Sequence, residues 1–337
     1  MKRHILTLIL TACLALPATP ALSKVKFSVS PVIARQFGYT EYQLDIQGAV
    51  IAPTGDTLLR KARSLLEFPV DVMMGGISVT VMSAPAEKHP WSVEAGILTN
   101  IGDPEGRMKD FDWDRVPGYY DLLWSYTESD AEMQSIILSL EITREMYRRN
   151  SLGVSLLAGF RYQRIWQTID NYTGWQRQLD EPTLQYGDPI NFAVAGVEAL
   201  TYEVKYASPR VGLMARLGSQ HRSSVSAKAV FAPVFASDED DHLQRNKIST
   251  ASGNGPGISA GFKAHLMTRG NEKATPFVDI VADLHSLTVS TSQTQRWYGD
   301  DPATPSIDDT GSISAGIPHK IRSTQLSLGL RFGISFR

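Results

Sequence analysis

The amino-acid sequence predicts an all-β protein, a closed antiparallel transmembrane β-barrel of about ten strands with long extracellular loops. Three observations predict it. The final run, STQLSLGLRFGISF, places Thr324, Leu326, Leu328, Leu330, Phe332, Ile334 and Phe336 on one parity and Ser323, Gln325, Ser327, Gly329, Arg331, Gly333 and Ser335 on the other. Successive side chains of a strand point to opposite faces, so this run is apolar toward lipid and polar toward a lumen. The pattern recurs along the chain, and the segments joining the runs alternate between short and long, as they do in outer-membrane barrels. After the N-terminal segment no stretch of about twenty apolar residues appears, so no helix is available to cross a membrane.

The elements follow in order. MKRH supplies positive charge, ILTLILTACLALP an apolar core and ATPALS small residues, so residues 1–23 are read as a signal peptide cleaved after Ala21 or Ser23. Leu10–Cys13, LTAC, also resembles a lipoprotein acylation box. Residues 24–337 form one barrel domain with strand runs near 38–52, 64–82, 91–101, 131–147, 152–171, 193–217, 224–237, 256–267, 275–297 and 315–336. Residues 149–152, 218–224 and 268–274 are short polar turns. Residues 102–130, 173–191, 237–255 and 298–314 are long, polar and rich in Gly, Pro and Asp. A secreted β-sandwich shares the alternation, but its turns do not sort into short and long sets in this way.

Composition narrows the chemistry. A net charge of −2 gives no nucleic-acid footprint. No HExxH or paired CxxC spacing is present, so neither metal nor cofactor is expected. Cys13 is the only cysteine and falls within the signal segment, which leaves no disulfide framework and no cysteine nucleophile.

A ten-stranded barrel is narrow, so its lumen should be filled and its function should sit at the long-loop rim. Two junctions there are strongly acidic: KDFDWD at 109–114 and SDEDDH at 237–242. In extended chain Asp110 and Asp112 share a face, and two such carboxyls held close can share a proton. Asp238, Asp240 and His242 likewise share a face, and an Asp beside a His orients a general base. Four such groups around one water can hydrolyse a carbonyl without a covalent intermediate: His242 takes the proton, Asp240 orients it, and Asp110 with Asp112 holds the water. Each motif also has a bland reading as a solvated acidic loop. Asp283-Leu284-His285, with Asp279, repeats the Asp-x-His spacing inside a strand run and is read as filling of the lumen.

At this point the chain resembles the omptins, outer-membrane endopeptidases of Gram-negative bacteria. Asp110-Phe111-Asp112-Trp113 follows the third run, and Ser237-Asp238-Glu239-Asp240-Asp241-His242 ends the seventh, where omptins carry their two catalytic couples. Ser64-Leu65-Leu66-Glu67-Phe68, Trp124 with Glu128-Ser129, and Ala158-Gly159-Phe160 with Arg164 are similar to further omptin segments. The likeness spans most of the mature chain at low identity.

The resemblance implies an aspartyl-type endopeptidase acting on peptides or proteins outside the cell, located in the outer membrane with its site facing outward. It implies catalytic Asp110, Asp112, Asp240 and His242, and Asp238 binding a basic substrate side chain. It also implies lipopolysaccharide as activator, held by the outward-facing Arg164 and Lys205. Two features depart from the pattern. The His-Pro of the family is absent around Glu128, and the second acid of the substrate pocket falls at Ile51 or Ala52. A non-catalytic barrel, an adhesin or structural protein on the same scaffold, is the alternative.

Overall fold

A computed structural model describes residues 25–51, 57–83, 87–116, 119–180, 183, 185–219, 223–268, 274–304 and 308–336. The segment read as a signal peptide, LTAC included, lies outside them, as do Ala52 and Asp56.

Among the described residues fifteen strand segments form one antiparallel sheet: β1 (Lys26–Ile51), β2 (Thr57–Pro69), β3 (Val72–Met82), β4 (Trp91–Asn100), β5 (Glu105–Val116), β6 (Tyr119–Arg149), β7 (Leu152–Asp180), β8 (Gln185–Ala193), β9 (Glu198–Gly218), β10 (Ser224–Phe231), β11 (Val234–His242), β12 (Lys247–Gly255), β13 (Gly257–Met267), β14 (Ala274–Trp297) and β15 (Ile313–Phe336). The segments outnumber the ten runs of the sequence because five walls are broken partway. β2 and β3 follow one another along β1, β4 and β5 along β6, and β8 and β9 along β7. β10 and β11 follow along β9, and β12 and β13 along β14. Ten walls result, and β15 closes the ring by pairing both β14 and β1. Closure leaves no open edge in the lipid-facing band, as lipid requires, while above it, among the described residues, β8 pairs β7 alone.

The stretches expected to be long loops are mostly strand. β6 runs for 31 residues and β7 for 29, whereas crossing a bilayer takes roughly 9–11. Extending the hairpins into solvent pairs the backbone groups that a loop would leave to water, and polar composition does not prevent this. At the other end the chain reverses tightly. Asn150 takes φ 53° in a two-residue turn between Arg149 and Leu152, a conformation Asn tolerates well.

The polarity of the walls inverts with height. Around the lower barrel the outward parity is apolar, with Ile33, Ile77, Ile97, Leu138, Leu156, Leu213, Ile280 and Leu328 all exposed, and Tyr39 and Trp166 bound this band above. The inward parity there carries charge. Lys228 lies 3.0 Å from Glu141 and 3.2 Å from Asp283, Glu94 pairs with Arg331, and Arg161 lies 3.1 Å from the His285 ring. Asp283 and His285 thus fill the lumen.

Above the band the lumen is not polar, as the alternation had suggested, but apolar: Tyr42, Leu44, Leu66, Phe68, Met108, Ile165, Ile169, Tyr202, Val204 and Ile321 form a buried cluster. The facing parity is unchanged; what changes is the solvent outside, from lipid to water, so the outer face turns polar and the inner face packs. The inversion falls near Gly38. There φ is +128°, and a Cβ would stand 2.0 Å from the Thr324 carbonyl oxygen, so only glycine fits. β1 leaves β3 for β2 at this point, and the Val70 amide donates to the Gly38 carbonyl at 2.9 Å.

Candidate active site

The acidic groups sit on the strand extensions directly above this apolar plug. β11 has an inward parity of Val234, Ala236, Asp238 and Asp240, and His242 ends the strand. The first two pack into the plug, and the acids continue the same face upward. A short 3-10 turn, Leu243–Arg245, then reverses the chain through Asn246 at φ 48°. Across the hairpin Asp240 faces Ser249 and His242 faces Lys247, while on the other side Asp240 faces Tyr202.

Asp240 is 2% exposed, and His242 Nε2 lies 2.9 Å from its Oδ2. The Tyr42 hydroxyl, from the inward parity of β1, donates to that same oxygen. Burial alone would raise the Asp240 carboxyl. His242 beside it, hydrogen bonds from His242 and Tyr42, and Lys247 together hold it below its ordinary value, so it is ionised. Burial and the neighbouring Asp240 push the Tyr42 phenol well up, so Tyr42 remains a donor.

Asp110 and Asp112 are brought to the same chamber by β5, on the third wall. They do not lie on a loop, as expected, but in a strand paired on both sides, with Asp110 facing Leu66 and Asp112 facing Ser64 of β2. The Ser64 hydroxyl donates to Asp110 at 3.5 Å. Burial, then Asp112, then Asp240 push the Asp110 carboxyl well above its usual range. Asp112 is raised by burial, opposed by Ser64, His242, Arg245 and Lys247. The two couples are therefore close enough to feel each other's charge. One is ionised beside an imidazole, and the other tends to hold a proton.

Asp238 lies deeper. It is 7% exposed, accepts from the Tyr202 hydroxyl at 3.4 Å and has His319 Nε2 2.8 Å away. His319 comes from β15 and is itself buried. Its ring lies 5.1 Å from that of Tyr42, and Phe68 stacks on Tyr202 with centroids 4.0 Å apart. This aromatic layer is the floor of the site. Of the second substrate-pocket position, Ile51 is described only as the backbone end of β1.

Sequence reading missed Tyr42, Ser64, Lys247 and His319. Each sits on an inward parity, but which parity levels meet across the lumen depends on register, and register is not written in any local pattern.

Arg164 and Lys205 face outward at the top of the apolar band and are cross-strand partners. Both pair with Glu203: Arg164 donates two hydrogen bonds, at 2.9 and 3.0 Å, and the Lys205 ammonium reaches the same carboxylate.

Fold and site together define an outer-membrane-type barrel with two carboxylate couples and a histidine at one mouth. No family model matches the chain, and no curated protein matches it. Among solved structures, the chain is similar to the crystal structure of the outer membrane protease OmpT from Escherichia coli, with a TM-score of 0.66 at 13% identity over 92% of this chain and 96% of that one. It also aligns, distantly, with a Pseudomonas aeruginosa FadL homologue, at a TM-score of 0.26 and 11% identity over 94% and 91% of the chains. The likeness to OmpT is one of fold.

Proposed function

We propose that the chain is an omptin-like endopeptidase of the outer membrane, cleaving polypeptides outside the cell, with lipopolysaccharide as activator. The observation that carries this reading is that the Asp240 carboxylate, with His242 Nε2 2.9 Å away, shares one buried chamber with Asp110 and Asp112. A water between the couples loses a proton to His242 Nδ1 as its oxygen attacks the peptide carbonyl carbon. Asp240 balances the imidazolium so formed, and Tyr42 fixes Asp240. Asp110 and Asp112 orient the water. Collapse of the tetrahedral intermediate breaks the C–N bond, and His242 returns its proton to the leaving amine. The likeness of fold to OmpT supports the reading, as do the matched residues at the ends of the third and seventh walls.

The test is to incubate refolded protein, with and without lipopolysaccharide, with a mixed peptide library and to read cleavage sites by mass spectrometry. Cleavage that is lost in His242→Ala supports the proposal. No cleavage under either condition overturns it and favours a non-catalytic barrel.

A further inference from the structure

The mechanism above leaves one charged group in the chamber without a role. Lys247 opens β12 directly opposite His242, and its side chain turns inward, leaving the residue 6% exposed. Its ammonium lies 6.0 Å from the centroid of the Trp297 ring. Among the described residues no carboxylate comes within ion-pair distance of it. Buried charges in proteins are as a rule paired or hydrogen-bonded, so an ammonium held inward without a partner is placed for something that arrives. Beside it on the same parity is Ser249, 1% exposed, whose hydroxyl also has no hydrogen-bond partner.

Charges face Lys247 from every side. Asp240 and His242 come from β11, Asp110 and Asp112 from β5, Arg245 from the turn, and Asp301 from the segment after β14. None of the acids takes it as an ion pair, and each has a nearer partner: Asp240 has His242 and Tyr42, Asp110 has Ser64 and Asp112, and Asp301 binds Arg245 at 2.7 Å and the Trp297 indole at 3.1 Å. The Arg245–Asp301 clamp ties the turn just before Lys247 to the segment after β14, which anchors the backbone from which the ammonium extends.

We propose that Lys247 is a further catalytic residue, whose ammonium donates to the carbonyl oxygen of the scissile peptide as that oxygen becomes an anion. This rests on the peptidase reading. The attack on the carbonyl moves one electron pair onto its oxygen, while Asp240 is committed to the imidazolium and the Asp110–Asp112 couple to the water. A fixed cation in a water-poor chamber stabilises that oxyanion strongly. On collapse the pair returns to the carbonyl and Lys247 keeps its proton throughout.

Burial, with Arg245 close by, lowers the ammonium to about 8, against the pull of Asp240, Asp301 and Asp110. The wild type should therefore lose activity as pH rises through about 8 and Lys247 loses its charge.

The experiment measures kcat against pH for the refolded wild type, Lys247→Met and Lys247→Arg, with circular dichroism to establish the fold. Lys247→Met should lower the plateau below about pH 8 by about 10²–10³, the cost of removing one oxyanion donor, and the deficit should shrink above it as the wild type loses its own charge. Lys247→Arg should keep most of the rate and move the alkaline descent far upward, because a guanidinium stays charged. If Lys247 only balanced the buried carboxylates, Lys247→Met would shift the acid limb and regain the wild-type plateau, which overturns the proposal. An unchanged alkaline descent in Lys247→Arg overturns it too, and this variant decides the matter if Lys247→Met does not refold. A wild type that cleaves no peptide would remove the peptidase reading itself, and this assignment with it.

Discussion

His319 Nε2 stands 2.8 Å from Asp238, and the two residues are 3% and 7% exposed. The acid that the omptin resemblance assigns to binding a basic substrate side chain is thus already engaged by an imidazole from the last strand and by the Tyr202 hydroxyl.

This pairing bears on specificity. A guanidinium offered fewer carboxylates loses a charge-assisted hydrogen bond, worth ~1.5–3 kcal/mol, or roughly ten- to a hundred-fold in discrimination. Cleavage should therefore tolerate apolar or mixed residues before the cut bond, and Asp238→Asn should change the preference for Arg or Lys less than about threefold, within the ~0.5 kcal/mol typical of changes remote from a contact. Library profiling checks this, and a sharply dibasic pattern that vanishes in Asp238→Asn would show the acid to be free for substrate.

The proposed general base, His242, depends on two partners in line, Asp240 and behind it Tyr42. Asp240→Ala and His242→Ala should each lower the rate by ~10²–10⁴, as loss of a positioned general base does. Tyr42→Phe removes a donor that helps hold Asp240 down, so the Asp240 carboxyl rises and the acid limb of the rate profile moves to higher pH. A hydrogen bond to a charged group is worth ~1.5–3 kcal/mol, so kcat should fall roughly tenfold. A Tyr42→Phe profile identical to wild type would refute this.

Asp110 should cost the barrel stability. Its carboxyl is raised above the unfolded value by burial and by Asp112, so the folded state binds more protons than the unfolded one between the two values. Its contribution is therefore fully present below the unfolded value and is lost as pH rises through the folded one. Asp110→Asn should raise the melting temperature at neutral pH while impairing cleavage, and the gain should vanish near pH 3. Melting curves at the two pH values decide it, and equal gains at both would speak against the raised carboxyl.

The proposed lipid activation should turn on the outward trio. Arg164 and Lys205 both lean on Glu203, so a lipid phosphate must compete with that carboxylate. Changing both cations to Ser should weaken activation by lipopolysaccharide without altering cleavage sites, whereas Glu203→Gln should lower the lipopolysaccharide concentration needed. Titration of activity against lipid reads both. Unaltered activation in the double variant would leave only ordinary snorkelling of two cations at a headgroup layer.

Much of the fold is legible in the sequence because lipid imposes an alternation that each strand carries by itself, as in Leu326 to Phe336. The two couples are legible for the same reason: Asp110 with Asp112, and Asp240 with His242, are spaced by the period of a strand. The hairpin extensions are not legible, since polar residues such as Asp110 to Asp114 sit equally well in a loop or in a solvated strand. Nor are Tyr42 and His319, whose meeting with Asp240 and Asp238 is fixed by how ten walls stagger around a ring, or Lys247, which faces His242 across a turn that reads equally well as open loop.

The buried layer of Tyr42, Leu66, Phe68, Ile165, Tyr202 and Ile321 closes the lumen just under the acids. It makes the molecule electrically silent. A planar bilayer containing it should show none of the stepwise currents of a water-filled porin, however strongly the charged interior below would attract ions. Anything entering the chamber leaves by the mouth it came through, so whatever the acids release stays on the side of the membrane that this mouth faces, and the ion gradients across the wall are undisturbed by the barrel that interrupts it.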